Sequence, residues 1–385
     1  MLIKMQVNTQ DKGELQVNIV DSENAPIKDA RVIIRKPRIL PEQPINSGDM
    51  IEELNTDISG QTQVVDLDAP PLEYSLNENN EEMPYANYDV EIDAPGYEVE
   101  NVENVEILPR SLAIQNVKLR KTQEENINIP PHTLYYEYPP KIPEDEIKDV
   151  GEPGEIVLSR VVIPEYVVVH DGVPSSNAKD YYVTYKDYIK NVASSEIYPT
   201  WPESAIRANI LAQISYALNR IYTEWYPSQG YDFDITSTTQ YDQKFIENRD
   251  IFENIAQIVD DIFNNYVVRQ GSVNPYFTQY CNGTTSTCDG LSQWGTVTLA
   301  EQGMVPYEIL QYYYGDDINI VFDAPVGPGV PSYPGIPLRR GDSGEDVRTI
   351  QRQLNRIGRN YPAIPQIPVT NGIFDFSTEA AVRAF

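Results

Sequence analysis

Glu196 stands in the string Ala193-Ser194-Ser195-Glu196-Ile197, with Val192 before it and Tyr198 and Trp201 after it. A carboxyl set among apolar side chains is desolvated, and that raises its pKa toward neutrality. It then keeps a proton to give to a leaving oxygen. The same acid also reads as a surface residue beside the start of the next helix, where the dipole favours negative charge. A second string, Gly290-Leu291-Ser292-Gln293-Trp294-Gly295, gathers a hydroxyl, an amide and an indole within three residues, and Tyr280 lies a little upstream. Trp294 reads equally as core, and Gln293 as a cap on neighbouring backbone. Metal ligands are scarce: two cysteines, Cys281 and Cys288, and two histidines, His132 and His170. A tetrahedral zinc site wants four ligands, so no metal or other cofactor is expected. The cysteines are expected to be free and buried, with a local disulfide as the other reading.

The elements that must position these residues fall into a multidomain α+β chain. Residues 1–120 read as an all-β sandwich: Leu15, Val17 and Ile19 alternate with polar residues, and strand-like runs follow at Arg31–Ile34, Gln63–Leu67, Tyr88–Ile92, Val102–Ile107 and Leu112–Leu119. Residues 121–160 form a connector rich in proline and acid, expected to be extended, exposed and open to proteolysis. Residues 161–323 read as a mixed α/β domain. A helix is expected over Trp201–Tyr226, capped at Thr200 with Pro202 in its first turn, and another over Asp250–Arg269, where Ile251, Ile255, Ile258, Ile262 and Tyr266 share a face. Residues 324–337 read as a linker and 338–385 as a small helical module.

The 385 residues carry a net charge of −29, which excludes a simple nucleic-acid binder because nothing would neutralise phosphates. The charge is uneven. Residues 1–155 hold 32 acids against 13 bases, whereas 338–385 hold seven arginines against five acids. A mildly basic tail on an acidic protein suits adhesion to an anionic polymer. The start, Met-Leu-Ile-Lys-Met, lacks an apolar export stretch, and no run reaches the length of a membrane span.

Leu338, Gly341, Gly344, Val347, Ile350, Gln351 and Leu354, continued by Gly372, Phe374, Thr378, Ala381, Val382 and Phe385, resemble the peptidoglycan-binding type 1 domain. Asn371-Gly372-Ile373-Phe374-Asp375-Phe376 stands where that family has Asp-Gly-x-Phe-Gly-Pro, and the chain stops inside the last expected helix. Val17–Asp21, Ala25-Pro26-Ile27, Thr56–Gly60 and Tyr88–Tyr97 resemble the carboxypeptidase regulatory-like, transthyretin-like module. Gly290–Gly295 with Gly303 and Tyr312–Gly315, and Glu196 with Pro199, Pro202, Ala205, Ala208, Ala212 and Ser215-Tyr216-Ala217, resemble the SpoIID-type peptidoglycan-lytic domain. Asn209 and Ile214 replace its usual Gln and Arg, and Cys288-Asp289 replaces its usual His-Gly. The order of modules resembles the SleC-type spore cortex-lytic enzymes.

That resemblance implies a lytic transglycosylase acting on spore cortex peptidoglycan during germination. It implies Glu196 as catalytic acid, and Tyr280, Ser292, Gln293 and Trp294 as substrate-binding residues whose amides, hydroxyls and rings suit acetamido groups and pyranose faces. A transglycosylase manages with one carboxyl, because the sugar's 6-hydroxyl attacks. The resemblance further implies a precursor cut in the connector by a germination protease, located in the spore and made in the mother-cell cytoplasm without a signal peptide. The competing readings are an N-acetylmuramoyl-L-alanine amidase and a non-catalytic wall-binding spore protein.

Overall fold

The computed structural model describes residues 11–40, 42–121, 126–136, 138–139, 141–142, 161–327 and 337–385, the last stretch apart from 345–346, 349, 352–353 and 356–362. The N-terminal part holds β1 (Asp11–Val20), β2 (Arg31–Arg35), β3 (Met50–Asn55), β4 (Val65–Ala69), β5 (Ala86–Asp93), β6 (Glu100–Ile107), β7 (Leu112–Lys118) and β8 (Asn126–Asn128). One sheet runs β3-β2-β5-β6-β8 and the other contains β7-β1-β4. The alternation in β1 does what its period of two dictates: Leu15, Val17 and Ile19 are fully buried while their neighbours reach solvent. Met50–Asn55 is a strand that the alternation does not announce, since five of its six residues are exposed.

The central part contains β9 (Ile163–Pro164), β10 (Tyr166–His170), β11 (Asp180–Thr184), α1 (Tyr185–Glu196), α2 (Glu203–Tyr222), β12 (Ile235–Thr236) and β13 (Ile251–Phe252). There follow α3 (Glu253–Ile262), β14 (Tyr266–Arg269), β15 (Tyr280–Cys281), β16 (Leu291–Ser292), α4 (Gln293–Glu301), α5 (Pro306–Tyr314), β17 (Ile318–Val321) and β18 (Val326–Gly327). Helix α2 is buried nearly all round and forms the hub, packing against α1, α3, α4 and α5. The polar residues that such a helix buries, Asn209, Gln213, Ser215 and Arg220, must find partners.

Three expectations are corrected. Thr200 does not cap α2: its hydroxyl donates to Ser75 Oγ at 2.8 Å, and the helix begins after Pro202. The single helix over Asp250–Arg269 is instead strand, helix, strand. Ile251 and Phe252 pair antiparallel with Ile114 and Ala113 of β7, so the central part adds an edge strand to the N-terminal sheet. The helix stops after Ile262, and the buried Asn265 side chain accepts from the Asp323 amide at 2.9 Å. The β-branched run behind it pairs with β17. Finally, the described portion of the connector is not a solvated strap. Ile129 and His132 are buried, Thr133 donates to Ser195 O at 2.9 Å, and the Ile142 amide donates to Gln240 O at 2.8 Å. Prolines there stiffen a segment that packs. The remainder of the connector, 143–160, lies outside the described residues, as does most of the linker. Its first residues form β18, which pairs with β9.

N-terminal and central parts share one continuous core. Across their junction Arg249, fully buried, meets Glu106 at 3.2 Å, Gln115 Nε2 donates to Asn248 O at 2.9 Å, and the Trp201 indole donates to Ser75 O at 3.0 Å. The C-terminal module has a small core of its own, Leu354, Ile364, Ile367 and Ala381, with helix α6 (Phe376–Ala384) capped by the Asp375 carboxylate. The whole is a mixed α and β chain with several sheets and a small helical region at its end.

Candidate active site

Glu196 is the last residue of α1, not a residue beside a helix start, so it sits at the negative end of a helix dipole. It is 2% exposed. Three donors converge on its carboxyl. The Lys244 amide donates to Oε1 at 2.7 Å, Gln213 Nε2 to Oε2 at 3.0 Å, and the Tyr280 hydroxyl to Oε2 at 2.5 Å. Burial pushes its pKa up to about 7, against the downward pull of Tyr280, the Lys244 amide, Gln213 and the charge of Lys141. Desolvation wins because one carboxylate among buried rings and aliphatic residues loses more hydration than neutral hydrogen bonds return. A carboxyl poised there holds its proton through much of the neutral range and gives it up readily.

Tyr280 is itself held. Gln243 Nε2 donates to its hydroxyl at 3.0 Å and to Gln213 O at 3.1 Å, while Gln243 Oε1 accepts from Tyr188 at 3.0 Å. A chain of hydrogen bonds thus runs from Tyr188 through Gln243 and Tyr280 to Glu196. Burial and the nearby carboxyl drive the Tyr280 phenol well above its ordinary pKa, so it stays a donor.

Of the residues expected here, Tyr280 and Gln293 reach Glu196. Gln293 Nε2 points to the Glu196 carbonyl at 3.3 Å. Ser292 caps α4 by accepting from the Gly295 amide at 3.0 Å. Trp294 is 6% exposed and packs its ring 4.9 Å from that of Trp201, next to Tyr198. Its face lies against protein. Gln213, Gln243, Tyr188 and the Lys244 amide were not anticipated. The legible signal was Gln213, a polar residue on the apolar stripe of α2 that is fully buried. Asn209, noted as unusual, bonds Thr296 at 2.8 Å and so ties α2 to α4.

The connector reaches this site. Lys141 Nζ donates to the Tyr216 hydroxyl at 3.2 Å and lies 6.0 Å from the Tyr280 ring centre, and Lys244 Nζ lies 4.7 Å from that of Tyr138. The cysteines expected to be free, Cys281 and Cys288, are joined as a disulfide. His132 is buried against Tyr198. His170 is not alone: Nδ1 lies 2.6 Å from Asp180 Oδ1 and Nε2 3.1 Å from Ser176 Oγ. This spacing imitates a serine triad. Ser176 Oγ, however, has a closer acceptor than the imidazole in the Val173 carbonyl at 2.7 Å, and lies 3.3 Å from that of Asp171, so these contacts clasp the 171–180 loop. Among the described residues, no group of three or more His, Cys, Asp or Glu is placed to hold a metal ion.

Residues 178–264 match the family described as stage II sporulation protein, SpoIID, and residues 343–385 match the putative peptidoglycan binding domain. An uncharacterized protein of Brachyspira hyodysenteriae is 29% identical over 107 residues, and the chain spans 28% of that relative's length. Among solved structures, transthyretin from Sparus aurata is similar at 17% identity and TM-score 0.18, over 28% of this chain and 88% of that one. The Bacillus anthracis TIE protein is similar at 16% identity and TM-score 0.17, over 28% of this chain and 16% of that one. Among the described residues no helix is long and apolar enough to cross a membrane.

Proposed function

We propose that the chain is a lytic transglycosylase of spore cortex peptidoglycan, of the SleC type, with Glu196 as its acid and base. The observation that carries this reading is the buried Glu196 carboxyl with its pKa raised to about 7. Protonated Glu196 gives its proton to the oxygen linking N-acetylmuramic acid to N-acetylglucosamine, and that bond breaks. The 6-hydroxyl of the muramic acid then attacks its own anomeric carbon, and its proton returns to the carboxylate. The product ends in 1,6-anhydromuramic acid, and one carboxyl serves both steps. Gln213, Tyr280 and the Lys244 amide stabilise the carboxylate between them. The arginine-bearing module keeps the enzyme on its polymer.

The enzyme is made as a precursor in the mother-cell cytoplasm, is located in the spore, and acts in germination. What supports a precursor is the position of Tyr138, Lys141 and Ile142 beside Lys244, Tyr280 and Gln240, on a carboxyl that is 2% exposed. A germination protease cutting after these residues, between 143 and 155, frees that segment to leave.

Muropeptides released from decoated spores by the processed enzyme should carry 1,6-anhydro ends. New reducing ends would make it a hydrolase, and free L-alanine amino groups an amidase. Glu196→Gln should lower the rate at least ~100-fold, the usual scale for removing a general acid. Near-normal lysis by that variant overturns the assignment.

A further inference from the structure

We propose that the Cys281–Cys288 disulfide is a positioning element for Glu196, holding the Tyr280 hydroxyl on the carboxyl, and that a dithiol reductant loosens the site by opening it. Cys281 directly follows Tyr280 in β15. That strand has two residues and pairs parallel with β16, which also has two, in the register Tyr280 to Leu291 and Cys281 to Ser292. A pair this short has little stability of its own. Few further backbone bonds tie these segments together: Leu291 N to Gln279 O at 3.0 Å and Trp294 N to Asn282 O at 3.2 Å.

The disulfide closes the loop that joins the two strands over a separation of 7 residues. Inside it, Asn282 Oδ1 accepts from the Thr284 and Ser286 amides, and the Gly283 amide donates to Ser286 O at 3.0 Å. The loop lies directly on the start of α4. Gly283 has φ +88°, and a Cβ there would stand 1.8 Å from Ser292 Oγ. The staple therefore fixes three things at once: the direction of Tyr280, the cap of α4 at Ser292, and the approach of Gln293 to the Glu196 carbonyl. Cys288 is half-buried, so a small dithiol can reach it. Reduction breaks the S–S bond; each sulfur takes up one electron and one proton, and the two thiols of the reductant become its own disulfide.

The catalytic consequence rests on the reading of Glu196 above, so the deciding measurement does not use activity. Hydrogen–deuterium exchange is followed by mass spectrometry on the full chain, oxidised, reduced with dithiothreitol, and as Cys281→Ser/Cys288→Ser. Peptides containing the Lys244, Leu291 and Trp294 amides should exchange ~10-fold faster when the bond is open, while those from the centre of α2 stay protected. Unchanged exchange at Lys244 and Leu291 overturns the proposal. Equal acceleration throughout α2 overturns it too, by making the bond a general staple. Turnover by the processed enzyme adds a second arm: opening the bond should lower kcat with KM unchanged and move the basic limb of the pH profile upward. If Glu196→Gln lyses as well as the parent, the glycan-cleaving reading fails, and the exchange result still decides the positioning role.

Discussion

The Tyr280 hydroxyl donates to Glu196 Oε2 at 2.5 Å across a sequence separation of 84 residues, and both groups are buried. A phenol held this way favours the charged form of the acid, whereas burial opposes it, and the balance sets the pKa on which the proposed chemistry depends.

Tyr280→Phe removes the hydrogen bond and keeps the ring. The carboxylate loses a donor, so its pKa should rise above about 7 and the fall of activity with rising pH should move upward. Turnover should drop ~10-fold, because a displaced acid is a costly error in geometry. The pH dependence of kcat on muropeptide release checks both; an unmoved limb would separate Tyr280 from the acid's titration.

Stability should carry the same signature. The carboxyl of Glu196 titrates near 7 when folded and near 4.5 when unfolded, so between these values the folded chain keeps a proton that the unfolded chain has released. Stability from this group is therefore full below about pH 4.5, declines as pH rises, and is lost above about pH 7, by up to about 3 kcal/mol. Glu196→Gln has no such proton. Its stability relative to the parent should improve between pH 5 and pH 8 in denaturant titrations, and a constant difference would contradict the raised pKa.

Arg249 lies between Glu106 and Asp250, with all three buried and both acids pushed upward by desolvation. Arg249→Ala strands those acids at the junction of the N-terminal and central parts. It should cost about 3–5 kcal/mol, the scale for removing one partner of a buried ion pair. Replacing all three together, as Glu106→Gln, Arg249→Met and Asp250→Asn, should recover much of that loss in thermal melts. A triple variant as unstable as the single one would show that shape, not charge, holds the junction.

In the C-terminal module Gln351 is fully buried. It accepts from the Gly372 amide at 2.9 Å and donates to Ile373 O and to Thr378 Oγ1 at 2.9 and 2.8 Å. Gln351→Ala leaves those groups without partners and should cost about 1–3 kcal/mol in that module alone. Pull-down on purified peptidoglycan should weaken while the melt of the central part stays in place. Unchanged binding would remove the module from wall recognition.

Local periodicity was enough to determine much of this protein. The alternation Leu15, Val17, Ile19 made a strand with one buried face, and the apolar stripe from Ile206 to Ile221 made the helix now seen at Glu203–Tyr222. The glycine, glutamine and leucine spacing near the C-terminus anticipated the module around Gln351, because such patterns depend only on neighbours a few residues apart. Glu196 and Tyr280 could be picked by chemical type. What the sequence left open were the contacts made by packing. Ile251–Phe252 leaves the expected helix because β7, far back in the chain, offers an edge. Strands of two residues have no period to read. Gln213, Gln243 and the Lys244 amide become a cradle for one carboxyl only when α1 ends against α2 and the loop after Tyr241 folds over both. The disulfide and the docking of Lys141 were decided in the same way, by which surfaces must meet to bury a shared core.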